Sequence, residues 1–100
     1  MSYSQPAEIT WDRPGLFQGV TIRREIEGQW YAWRIPHNGL VSQALAAELL
    51  DVSLMSVYNW VSDERMGNIK LPGNPSAIPL SEVKRIRGLL AQNGRLPRER

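Results

Sequence analysis

The chain has no cysteine. Disulfides, thiolate metal sites and cysteine nucleophiles are therefore excluded. It has one histidine, His37, which follows Pro36 and has no companion histidine or cysteine to complete a metal site. General-base chemistry at His37 would need a positioned partner, and none is identifiable. There is no Gly-rich phosphate loop, no nucleophile-elbow context around a serine, and the carboxylates are scattered. The expectation is a protein that is not an enzyme, with no cofactor and no metal. No apolar run is long enough to cross a membrane, and no stretch has the charged-then-apolar pattern of a secretory leader. The expected location is cytoplasmic. Long repeats and low-complexity tracts are also lacking.

What remains is a chain of globular composition. Its 100 residues and 42% hydrophobic content suffice for one compact core and not for two. The net charge of +2 hides an uneven distribution. Residues 1–39 balance, with Glu8, Asp12, Glu25 and Glu27 against Arg13, Arg23, Arg24 and Arg34. Residues 40–66 are acidic, with Glu48, Asp51, Asp63 and Glu64 against Arg65. Residues 67–100 are basic, with Lys70, Lys84, Arg85, Arg87, Arg95, Arg98 and Arg100 against Glu82 and Glu99. A basic end is the footprint of phosphate binding, or else a solvated tail.

Residues 1–19 carry Pro6, Pro14 and Gly15 and read as an irregular arm with Ile9 and Trp11 as its apolar points. Residues 20–35 read as a β-hairpin turning at Glu27-Gly28. That turn pairs Ile26 with Gln29, Arg24 with Tyr31, Ile22 with Trp33 and Val20 with Ile35. One face then holds Val20, Ile22, Ile26, Tyr31, Trp33 and Ile35, and is expected to pack on helices. The other holds Thr21, Arg23, Glu25, Trp30, Ala32 and Arg34. On that outer face Arg23, Trp30 and Arg34 form a candidate surface for another protein, or equally for nucleic acid, with Trp30 stacking and the arginines on phosphate. The alternative is cross-strand pairing in which Glu25 offsets an arginine.

The richest stretch is Ser42 to Val61, SQALAAELLDVSLMSVYNWV. Two short helical patterns meet at Asp51-Val52-Ser53. Asp51 falls where the chain leaves the first helix, a position that takes the left-handed conformation. Ser42 and Ser53 can each accept a hydrogen bond at the start of a helix. Leu45, Leu49 and Leu50 form the first apolar stripe, and Val57, Trp60 and Val61 the second. Ala47 supplies the small side chain where the helices approach. The spacing predicts a helix-turn-helix over residues 41–66, whose second helix would enter a DNA major groove. Its free face offers Ser53, Met55, Ser56, Tyr58 and Asn59 to base edges.

Downstream, residues 67–79 read as a hairpin in which Ile69-Lys70-Leu71 pairs with Ala77-Ile78 across residues 72–76. A last helix over residues 81–93 follows, stopped by Gly94. Its apolar face is Val83, Ile86, Leu89 and Leu90. Lys70, Asn74, Arg85 and Arg87 are candidate phosphate or groove contacts. Residues 95–100 form a basic tail.

The pattern Gln43-x3-Ala47-x3-Asp51-Val52-Ser53-x3-Val57-x2-Trp60 resembles the helix-turn-helix of the excisionase and MerR-type families. Ile78-Pro79-Leu80-Ser81-Glu82-Val83 is similar to their return from wing to helix. The resemblance covers residues 41–92, about half the chain. The family more often has glycine at the position of Asp51, and arginine or lysine early in the second helix. The resemblance implies an α+β, mainly α, winged helix-turn-helix, here spanning residues 20–94 with the added N-terminal hairpin. It implies sequence-specific binding to double-stranded DNA by a small transcriptional regulator or a recombination directionality factor. Such a protein would be nucleoid-associated and would self-associate as a dimer or cooperative array on DNA. The alternative is a protein-interaction module, or a nucleoprotein adaptor, built on the same scaffold.

Overall fold

The structure is a computed structural model. It describes residues 7–12 and 19–94, without the side chains of Asn74 and Pro75. The basic tail, most of the N-terminal arm and the Asn74 side chain thus lie outside the described residues. The chain divides into two compact units, Met1–Asn38 and Gly39–Arg100. The hairpin expected to share one domain with the helices therefore belongs to the first unit.

The first unit is a three-stranded antiparallel sheet in the order β1-β2-β3. Its strands are β1 (Glu8–Trp11), β2 (Gly19–Ile26) and β3 (Gln29–Pro36). Glu27 and Gly28 both have positive φ, 53° and 84°, so they make the two-residue turn whose twist matches the flanking strands. The β2–β3 register is the one that turn predicts, from Ile26 opposite Gln29 to Val20 opposite Ile35. The arm expected to be irregular contributes a strand. Ile9 pairs with Ile22 and Trp11 with Val20, which extends the apolar face by one strand. Val20 and Ile22, on the central strand, are buried. Arg24 sits on this same face, opposite Tyr31, and only 8% of it is exposed.

The second unit begins with β4 (Leu40–Ser42), a strand where the sequence predicts only the start of the helix-turn-helix. It pairs with β6 (Asn74–Pro79), and β6 pairs with β5 (Ile69–Leu71), giving the order β4-β6-β5. The turn between β5 and β6 is Pro72-Gly73 rather than the five residues expected. Proline presets the first turn position and Gly73, at φ 78°, supplies the second. A register shift between Ile69 and Leu71 marks a bulge.

Three helices complete the unit: α1 (Gln43–Leu50), α2 (Leu54–Ser62) and α3 (Leu80–Asn93). The caps are those the sequence predicts. The Ser42 hydroxyl accepts from the Leu45 N–H, and the Ser53 hydroxyl from the Ser56 N–H. Asp51 is left-handed at φ 57°, and the Asp51 and Val52 N–H groups donate to the carbonyls of Glu48 and Ala47. That paired pattern closes the end of α1 and fixes where α2 starts. Gly94, at φ 72°, ends α3. α1 packs on α2, α3, β4 and β6. The core is Val41, Ala46, Ala47, Leu49, Leu50, Val57, Met66, Ala77, Ile78, Leu80, Val83 and Ile86.

The class is α+β. Among the described residues, strands and helices hold about equal shares, so the balance is not mainly α. Strands β1 and β4, with a β6 longer than the expected Ala77-Ile78, account for the difference. No helix among the described residues is long and apolar enough to cross a membrane.

Asp51 combines a left-handed backbone with a negative charge at a helix C-terminus, and both are unfavourable. Asp51→Gly is expected to stabilise the second unit by about 0.5–1.5 kcal/mol. A higher thermal midpoint would register this, and an unchanged or lower one would contradict it.

Candidate nucleic-acid interface

α2 is amphipathic and short, and its apolar residues settle which way it faces. Val57 is wholly buried, while Trp60 and Val61 are half-buried. The opposite side exposes Met55, Tyr58 and Asn59, with Met55 63% and Tyr58 49% accessible. Leu54, at the start of the helix, is also exposed. This row of apolar, aromatic and amide groups has the donors, acceptors and methyl-sized surfaces that read a major groove.

Two members of the expected row are used differently. Ser53 Oγ accepts from the Ser56 N–H at 3.1 Å and lies 3.0 Å from Ser56 Oγ. Both hydroxyls thus serve the helix start. The sequence signal for this was the serine pair at N-cap spacing.

The candidate basic residues lie on different elements and are engaged differently. Lys70 is exposed on β5. Arg87 is exposed on α3. Arg85 is committed within the fold. Its guanidinium donates to both carboxylate oxygens of Glu82 at 2.9 Å and to the Arg65 carbonyl at 2.8 Å. Glu82 in turn accepts from the Gly67 N–H at 2.8 Å. Arg85 therefore ties the chain that follows α2 to the first turns of α3, a duty that its place on the helix surface does not disclose. A Cβ at position 67 would stand 3.3 Å from Glu82 Oε1, so glycine lets the carboxylate come close.

The hydrogen bond from Arg85 holds the Glu82 carboxyl below its ordinary range. Partial burial opposes this, and the Gly67 N–H adds to it. The same contact pushes Arg85 further up. Because Glu82 is depressed in the folded state, the stability it contributes is present above its unfolded value. It is lost as pH falls through the folded one. Acid titration of the thermal midpoint should show this loss, and Glu82→Gln should flatten it. An acid limb of equal size in Glu82→Gln would contradict the assignment.

A small polar cluster stands behind β6. The Gln43 and Asn68 amides both donate to Ser76 Oγ, and Gln43 Oε1 is buried with no partner among the described residues.

In the first unit, Arg23 lies 5.2 Å from the centroid of the Trp30 ring and 3.3 Å from Glu8. Arg34 pairs with Asp12 at 3.1 Å. The acids that offset the two arginines come from Glu8 in β1 and Asp12 beside it. Glu25, expected in that role, makes neither of these contacts. On the other face Tyr31 and Trp33 stack, with centroids 6.4 Å apart. No group of three His, Asp or Glu side chains among the described residues could hold a metal ion.

Compared with protein-family models, curated proteins and solved structures, the chain matches none.

Proposed function

We propose that the second unit is a winged helix-turn-helix that reads double-stranded DNA without catalysis, with α2 in the major groove and the β5–β6 hairpin as its wing. The chain would act at the nucleoid as a small transcriptional regulator or a recombination directionality factor. The observation that carries this reading is the outer face of α2. A helix of nine residues, fixed at its start by Asp51 and Ser53, exposes Met55, Tyr58 and Asn59 while burying Val57. Such a face has no role in the core of its own unit.

The charge near α2 favours a second reading. Glu48, Asp51, Asp63 and Glu64 surround the helix pair in sequence, and Arg65 and Arg85 are paired with Asp63 and Glu82. Phosphate contacts supply most non-specific affinity, so this environment suits a protein partner. Titration of a mixed-sequence duplex at two salt concentrations separates the readings. The DNA reading expects affinity that falls steeply as salt rises. Negligible binding at low salt would favour the protein-interaction module.

A further inference from the structure

β3 is an edge strand eight residues long, paired with β2 on one side only. All of its residues except Ile35 are exposed. Edge strands are usually blunted by charge, by a bulge or by shortness. β3 has a regular register and a single charge, Arg34. Pro36 limits it only at its end.

The register fixes which backbone groups are free. The Asp12 N–H donates to the Gly19 carbonyl, so odd-numbered residues of β2 turn toward β1. Even-numbered residues of β2 then turn toward β3, where they meet Gln29, Tyr31, Trp33 and Ile35. The N–H and C=O groups of Trp30, Ala32 and Arg34 therefore point away from the sheet.

We propose that this edge pairs with the β3 edge of a second copy, antiparallel and centred on Ala32. In that register Ala32 faces Ala32, and Trp30 faces Arg34 on both sides of the two-fold axis. These are the residues with outward backbone groups, so each facing pair exchanges both N–H···O bonds. On the other side chains' face, Tyr31 comes opposite Trp33 of the second copy, which extends the Tyr31–Trp33 stack across the axis. Charge fits as well. The two Arg34 side chains are about 13 Å apart along the ladder, beyond a Debye length. Each places its stem against Trp30 of the other copy, whose ring also carries Arg23, and the two guanidiniums are balanced by Asp12 and Glu8 of their own copies. Sliding the register by two residues toward Pro36 would bring a missing N–H into the ladder and lose this match.

The area sets the strength. Trp30, Tyr31 and Trp33 are 46%, 45% and 46% exposed, on the order of 100 Å² each. A few hundred Å² per copy is less than the roughly 800 Å² of a standard interface. The dimer is therefore weak, with a dissociation constant between about 1 µM and 1 mM. It does not depend on the DNA reading and forms without DNA.

Sedimentation equilibrium of the full chain over that concentration range tests it. The expected result is a reversible monomer–dimer transition. Ala32→Arg puts like charges directly opposite on the axis and should weaken the dimer at least about tenfold, with an unchanged circular dichroism spectrum. The cysteine-free background supplies a second test that does not need Ala32→Arg to fold. Ala32→Cys should form an intermolecular disulfide under mild oxidation, because facing Cα atoms lie about 5.5 Å apart. Gln29→Cys should not, since its two copies would be about 20 Å apart. A monomer throughout the range would overturn the proposal and leave the edge to a strand of another protein. So would a dimer indifferent to Ala32→Arg, or equal cross-linking from positions 29 and 32.

Discussion

Ile78→Ala is expected to destabilise the second unit by about 2–4 kcal/mol. Ile78 is fully buried near the end of β6, the central strand, where it pairs with Val41. The strand has neighbours on both sides, so the cavity cannot close by a shift of an edge. A unit of this size has only about 5–10 kcal/mol of stability, so between about a fifth and four-fifths of it is lost. Leu71→Ala makes the contrast. Leu71 lies on edge strand β5 and is 39% exposed, so its truncation should cost under about 1 kcal/mol. Urea titration followed by residue-resolved signals of the second unit would measure both. Equal costs at the two positions would contradict this placement of the core.

Asn59→Ala is expected to reduce discrimination between the preferred duplex and unrelated duplexes by about 1–3 kcal/mol, or roughly 5- to 150-fold. Asn59 is exposed on the outer face of α2, and its backbone carbonyl accepts from the Asp63 N–H, a bond that its side chain does not make. Alanine is also the better helix former, so the fold should not suffer. A loss of discrimination would then report groove reading and not unfolding. Lys70→Ala should behave differently. It would weaken all duplexes alike and lower the salt slope by about one. Competition titrations of both variants at fixed salt would distinguish the roles. If Asn59→Ala kept the same preference and affinity, α2 would not be the reading helix.

The parts of the fold legible in the sequence were those with local causes. Glu27-Gly28 set the hairpin register, because a two-residue turn leaves no freedom in the pairing. Ser42, Asp51 and Ser53 set the ends of α1 and the start of α2 through side-chain and backbone bonds within a few residues. Gly94 set the end of α3 for the same reason. The parts missed depend on distant partners. β4 is three residues long, too short for any periodicity, and exists because Val41 meets Ile78. β1 lies near Pro6 and Pro14, which read as irregular chain, and forms because β2 has a free edge. Arg24 was readable in principle, since its pairing with Tyr31 assigns it to the apolar face. Charge alone argued against that face.

The candidate site divides along the same line. The outer face of α2 follows from helical spacing and was read from Val57, Trp60 and Val61. The fate of Arg85 did not follow. On the helix surface it looks like a phosphate contact, and only the chain after α2, brought alongside by the fold, gives it Arg65 and the Gly67-bound Glu82. The balance of helix and strand was misjudged for a related reason, because short strands are invisible until they pair.

The most direct test of the central claim is a selection from random duplexes with the full chain, followed by titration of the selected sequence. A DNA reader predicts an enriched motif, lost in Asn59→Ala, with affinity that falls as salt rises. No enrichment, together with negligible duplex binding at low salt, would contradict it and make α1 and α2 a scaffold for a protein partner.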